Sequence, residues 1–281
     1  MFHSWYIALA LNIIWLSFLQ FFSLLGGLLI AGLLLGSMEQ QTNARTIQVF
    51  GMKGIYATAW IGTPIHELGH ALLCLLFRHQ ITAIKWFQRP DDHGTIGYVM
   101  HRYHPESFYQ KTGNLFIGVA PLFSGSLAIM AAAYLLLPPN SRDFFGSLIA
   151  FRQTLSLLNP ASWLFWLQTF IAMMGALFSP VNFYDLNYWL FLWLSVSIAS
   201  HMSLSQEDIK GASSGAGLFF LLCLLASFLS YSLDPSLGRQ LITGIGRVNF
   251  ELMLLLSIAL IFSFAKWVVM LIIWQIKKCF H

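Results

Sequence analysis

Apolar residues come in long runs along this chain, with short polar stretches between them. The runs cover 5–35, 55–77, 113–137, 161–178, 186–203, 216–233 and 251–276. About 20 apolar residues in a helix cross a bilayer, so the pattern predicts seven membrane-spanning helices. The run at 5–35 would make about 46 Å of helix, against a hydrocarbon core of about 30 Å. It fits one tilted helix, or a helix and a re-entrant piece around Gly26 and Gly27. The opening MFHSWY lacks the basic stretch and small-residue cleavage site of a secretory signal, so the first run is expected to remain as an anchor.

One sizeable polar stretch, 80–112, interrupts the pattern. "ITAIKWF" and "GTIGYVMHRY" are rich in β-branched and aromatic residues and flank "QRPDDH", a spacer with turn chemistry. A hairpin over 81–103 is expected there, at the membrane surface. Repeats, low-complexity tracts and long linkers are not evident, so 1–281 reads as a single membrane domain. The expected fold is an all-α polytopic membrane protein of about seven transmembrane helices with a small β-hairpin-like insert.

Composition agrees with this expectation. The chain is 57% hydrophobic and only 9% charged, with mean hydropathy +0.69; a soluble domain carries about 25% charged residues. The net charge of +4 comes mainly from Lys and Arg in short connecting segments. That suits loops facing lipid headgroups and makes no case for nucleic acid. Lys and Arg are shared almost evenly between alternating loops, so the positive-inside rule gives no orientation. The expected partners are the lipid bilayer and a membrane protein or peptide substrate, and the expected location is the plasma membrane. Oligomeric state is not legible. Cys74, Cys223 and Cys279 form no CxxC pair, and the first two lie in apolar runs, where a free Cys is usually a small buried hydrophobe. Lys266, deep in the last run, is expected to snorkel or to find a local partner.

Within the second run, "TPIHELGHALL" at 63–73 places three ionisable groups among apolar neighbours. Their burial is costly unless something satisfies them. His66 and His70 are four residues apart, so a helix puts both imidazoles on one face, spaced to bind one Zn²⁺. Glu67 is rotated by roughly 100° from His66 and can stand beside the metal without ligating it. There it can take a proton from water and pass it to a leaving amine. The sequence H-E-x-x-H is a metalloprotease motif. Pro64 withdraws a hydrogen bond from the Trp60 carbonyl and can kink the helix. Gly69 leaves space beside the metal or serves helix packing.

An HELGH motif inside an apolar segment, followed by a hairpin-like insert and the small-residue-rich "GNLFIGVAPLFSG" at 113–125, resembles the site-2 protease class of intramembrane zinc metalloproteases. The resemblance implies one Zn²⁺ per chain and proteolysis of membrane-embedded or membrane-adjacent substrates. It also implies an aspartate as third ligand, but the LDG motif that supplies it in that class is absent here. With 11 acidic residues the search is short. Asp208 leads: Ser205 three residues before it can start a helix with a capping box, and by resemblance the class's aspartate also begins a span. His201, seven residues earlier, would lie on the same side of a continuous helix, able to ligate or to orient Asp208. Asp185 follows "SPVNFY", which echoes the loop before LDG in that class. Two other functions compete. A di-iron desaturase would draw on His66/His70 and His101/His104, without the HxxHH boxes of that class. A non-catalytic scaffold or chaperone-like protein would keep a structural or degenerate metal site, and would have no need of Glu67.

Overall fold

The computed structural model describes residues 2–91, 94–139, 141–142 and 154–280; Asp92 and Asp143, two of the acidic candidates, lie outside them. About four fifths of the chain is helical. Helix α1 (Phe2–Phe50) runs without a break through Gly26 and Gly27, so the re-entrant alternative is not realised. It also continues 15 residues past the apolar run, through the polar "SMEQQTNARTIQVF". Gly51, at φ 65°, then turns the chain; only glycine takes that conformation without strain. Helix α2 (Met52–Leu76) follows and carries the motif, unbroken at Pro64.

All seven apolar runs are mostly helical, but they do not make seven equal spans. The third run is a bent pair, α3 (Phe108–Gly118) and α4 (Ala120–Leu136), with 55° between them. Next come α5 (Pro160–Leu177), started by Asn159, and a 3-10 turn at Pro180–Tyr184. Asp185 then caps α6 (Leu186–Ala199), Ser205 caps α7 (Gln206–Leu233) and Asp234 caps α8 (Pro235–Cys279). Among the described residues four helices are long and apolar enough to cross a membrane, α1, α5, α7 and α8, or five with the bent pair. Helix α6 has only 14 residues and α2 holds the polar motif.

Large apolar side chains stand exposed along α1, α4, α5 and α7, including Leu33, Leu135, Ile171 and Leu225. Bare hydrocarbon over so many turns is costly in water and favourable in lipid. The core lies between α1, α4, α6 and α8, with Leu28, Leu122, Ile129, Tyr188, Phe191, Leu254 and Ile258 fully buried. Helices α1 and α8 run side by side. Polar clasps hold them at one end: Trp267 Nε1 donates to Gln41 Oε1 (3.1 Å), and Lys277 Nζ donates to the Gln48 carbonyl (3.0 Å).

The polar insert forms the expected hairpin. Strands β1 (Gln80–Lys85) and β2 (Tyr98–Arg102) pair antiparallel from Gln80 opposite Arg102 to Lys85 opposite Tyr98, with an irregularity between Ile81 and Ala83. The pairing extends toward the tip, where the Gln88 N–H donates to the Ile96 carbonyl and the Thr95 N–H donates to Asp91 Oδ1.

Gly69 serves packing. A methyl there would come within 2.5 Å of Ser124 Oγ and 2.9 Å of the Ala120 carbonyl, so its absence lets α2 and α4 touch. Gly175 on α5 has nothing within 4 Å of the same position. Gly69→Leu is therefore expected to lower stability by about 1–3 kcal/mol through overpacking. Gly175→Ala is expected to leave it unchanged or slightly raised. Thermal unfolding in detergent separates the two.

Candidate metal centre

Three elements meet at the motif: the middle of α2, the bend between α3 and α4, and the start of α7. Each contributes through a local rule. On α2 the four-residue spacing puts His66 and His70 on one face. At the bend, Pro121 has no N–H to return to the Ile117 carbonyl four residues earlier. That oxygen instead accepts from His70 Nδ1 at 2.8 Å. Beyond α6 the chain leaves helical geometry at Ser200–Leu204, freeing the His201 carbonyl, which accepts from His66 Nδ1 at 2.8 Å.

These two bonds fix the chemistry. A backbone carbonyl is only an acceptor, so each Nδ1 carries the hydrogen and each neutral ring presents a bare lone pair at Nε2. The two Nε2 atoms face one another at 3.1 Å. Asp208 joins them, with Oδ1 3.1 Å from His70 Nε2 and Oδ2 3.7 Å from His66 Nε2. With both rings neutral, three electron-rich atoms converge with no hydrogen between them. A proton or a metal ion would relieve their repulsion. The donor set of two imidazoles and a carboxylate suits zinc, whose tetrahedral ligands at about 2.0–2.1 Å would stand about 3.3 Å apart.

Asp208 serves two roles at once. It closes a capping box, since the Ser205 N–H donates to Asp208 Oδ2 (2.8 Å) and the Asp208 N–H donates to Ser205 Oγ (3.0 Å). Its other oxygen is left for His70. Gly118 permits this: a side chain there would strike the Asp208 carbonyl and Ala212, so α7 can begin directly against α3.

Glu67 is buried and borders the same cavity of about 900 Å³ as His66, His70 and Asp208. The far wall is the hairpin, from Gly94 to His101. Gly97 leans over the carboxylate so closely that a methyl there would be 3.1 Å from Glu67 Oε1 and 2.5 Å from Thr63 Cγ2.

The rival ligands stand elsewhere. Asp185 accepts from the Asn187 N–H (2.9 Å) as an N-cap and is not in the convergent group. His201 does not share a helix with Asp208, because α6 ends at Ala199 and α7 starts at Gln206; its carbonyl orients His66, and its ring does not join the group. That ring faces Thr58 Oγ1 at 3.2 Å and Glu39 Oε1 at 3.6 Å. Glu39 also accepts from Ser203 Oγ, and Lys266 Nζ donates to Thr58 Oγ1 at 3.1 Å. Lys266 has thus found its local partner. A partly buried polar chain from α8 through α2 to α1 therefore backs the loop whose carbonyl holds His66. Glu39, one of the acidic residues searched for the third ligand, is not in the convergent group and stands in this chain instead. His101 turns to His79 and not to His104, whose backbone N–H goes to Gln110 Oε1.

No known protein family, characterised protein or solved structure matches this chain. Its chemistry has to be read from its own residues.

Ser205→Ala removes one half of the capping box and should cost about 1 kcal/mol. Ser205→Thr should restore most of it. Thermal unfolding of both variants measures how much of the α7 start depends on this cap.

Proposed function

We propose that this chain is an integral-membrane zinc metalloendopeptidase that hydrolyses peptide bonds of membrane-embedded or membrane-adjacent proteins. The observation that carries it is the convergence of two lone-pair nitrogens and a carboxylate beside the buried Glu67. His66, His70 and Asp208 would hold the ion. When bound, Zn²⁺ supplies Lewis acidity, bringing the pKa of a water to about 7 and polarising a carbonyl. Glu67 accepts the proton of the attacking water on a carboxylate oxygen and returns it to the leaving amine. The carbonyls of Ile117 and His201 hold the two imidazoles in the required tautomer. The class that the motif resembles, the site-2 proteases, performs the same chemistry with an aspartate third ligand.

A seven-span arrangement in the plasma membrane is part of the proposal. In it α2 and α6 cross inside a ring of more apolar helices, and the bent α3–α4 pair makes one crossing. The hairpin would lie at the membrane face with its β2 side along the cavity. A helical peptide bond is shielded by its own hydrogen bonds, so a substrate must be extended to be cut. A free strand edge offers main-chain pairing to such a segment.

Purified protein is expected to carry zinc at this centre and to cleave members of a panel of single-span peptides. Glu67→Gln keeps size and hydrogen bonding but cannot take the proton. It should retain zinc while turnover falls by roughly 10²–10⁴-fold, the usual worth of a positioned general base. Asp208→Ala, His66→Ala and His70→Ala should each lose the ion and the activity, whereas Asp185→Ala should keep both. Wild-type turnover by Glu67→Gln would reject Glu67 as the general base, and no cleavage of any peptide by zinc-loaded wild type would leave the scaffold reading. Chelation should abolish cleavage, and added Zn²⁺ should restore it.

Tyr98→Pro, or Pro at Ile96, is expected to slow cleavage without changing zinc at the centre if substrates pair along the hairpin. Undiminished cleavage by both variants would remove the edge from the account.

A further inference from the structure

The stripe that begins with His66 and His70 does not end there. Cys74, one more turn along α2, is fully buried and sits on the same face. It meets two imidazoles that the proposed reaction does not use: His79, just before β1, and His101 on β2. The sulfur and one nitrogen from each ring lie within 4.8 Å of one another. His79 Nδ1 and His101 Nδ1 face each other at 2.9 Å, with the rings 4.9 Å apart.

The tautomer of His79 is fixed as those of His66 and His70 are. Its Nε2 lies 2.9 Å from the Gln110 carbonyl, an acceptor only, so the hydrogen is on Nε2 and Nδ1 offers its lone pair to the cluster. A ring pinned through its other nitrogen to a backbone carbonyl is the usual setting of a metal-ligating histidine.

We infer that Cys74, His79 and His101 form a second cation site, separate from the motif, which takes a borderline-soft ion such as Zn²⁺ through one thiolate and two imidazoles. Binding releases one proton, from Cys74 Sγ, and leaves a thiolate against the charge of the ion. The three ligands come from the end of α2, the entry to the hairpin and its return strand. The ion would therefore staple the hairpin to the helix that bears the motif. Residues 96–101 of that hairpin border the cavity, so the staple would set where the β2 edge stands relative to Glu67.

Cobalt substitution tests this independently of catalysis. The motif centre offers only nitrogen and oxygen, so a sulfur-to-Co²⁺ charge-transfer band can come only from a site that contains a cysteine. Full-length protein loaded with Co²⁺ in detergent is expected to bind two ions per chain and to show that band. Cys74→Ser and, separately, His101→Gln should each lose the band and one of the two ions. Glu67→Gln should keep both. The double variant His66→Ala/His70→Ala should keep the band, so a failure of the motif centre would not be mistaken for a failure of this one. No thiolate band in the wild type, or a band that survives Cys74→Ser, would overturn the inference and leave a plain hydrogen bond between His79 and His101 beside a buried thiol.

Discussion

Two carbonyl oxygens, those of Ile117 and His201, decide what the two motif histidines are. Each takes the Nδ1 hydrogen of one imidazole, and the lone pairs at Nε2 are thereby turned on one another and on Asp208. With both rings neutral and no cation this is repulsion in a largely buried site. With one it is a ligand set. The helices around it are arranged so that these two oxygens have no better partner: Pro121 removes the helical donor for one, and the end of α6 frees the other.

That constraint also explains features which look unrelated along the chain. The bend after Gly118 produces the free carbonyl and brings α3 close enough for α7 to begin against it. The capping box at Ser205 fixes the Asp208 carboxylate at the start of a rigid helix. Gly62 admits the His201 loop against α2, since a methyl there would come within 2.6 Å of the Ser197 carbonyl and 2.5 Å of the His201 ring. Behind that loop, Glu39, Ser203, Thr58 and Lys266 satisfy one another's polar groups.

Local patterns carried much of this into the sequence. The i, i+4 histidines with their glutamate, the S-x-x-D start at 205–208 and the β-branched flanks of a turn-rich spacer each specify a short-range geometry, and each appears in the structure. Features that depend on tertiary partners were less visible. The polar half of α1 stays helical because it lies along α8, clasped by Trp267 and Lys277, and a hydropathy window cannot see such a partner. A continuous helix would have set His201 on the same side as Asp208, whereas the chain breaks between them. Cys74 did announce itself, four residues after His70, but an apolar setting made it look like one more small hydrophobe until the fold brought His79 and His101 against it.

The central claim is that a zinc ion is held by His66, His70 and Asp208, and X-ray absorption at the zinc edge tests it most directly. Purified Cys74→Ser protein removes the thiolate of the neighbouring cluster, so its spectrum reports the motif centre. The account predicts a first shell of nitrogen and oxygen alone, with the outer-shell scattering of two imidazoles, lost in His66→Ala/His70→Ala. Zinc absent from the protein, or bound with no imidazole scattering, would contradict it.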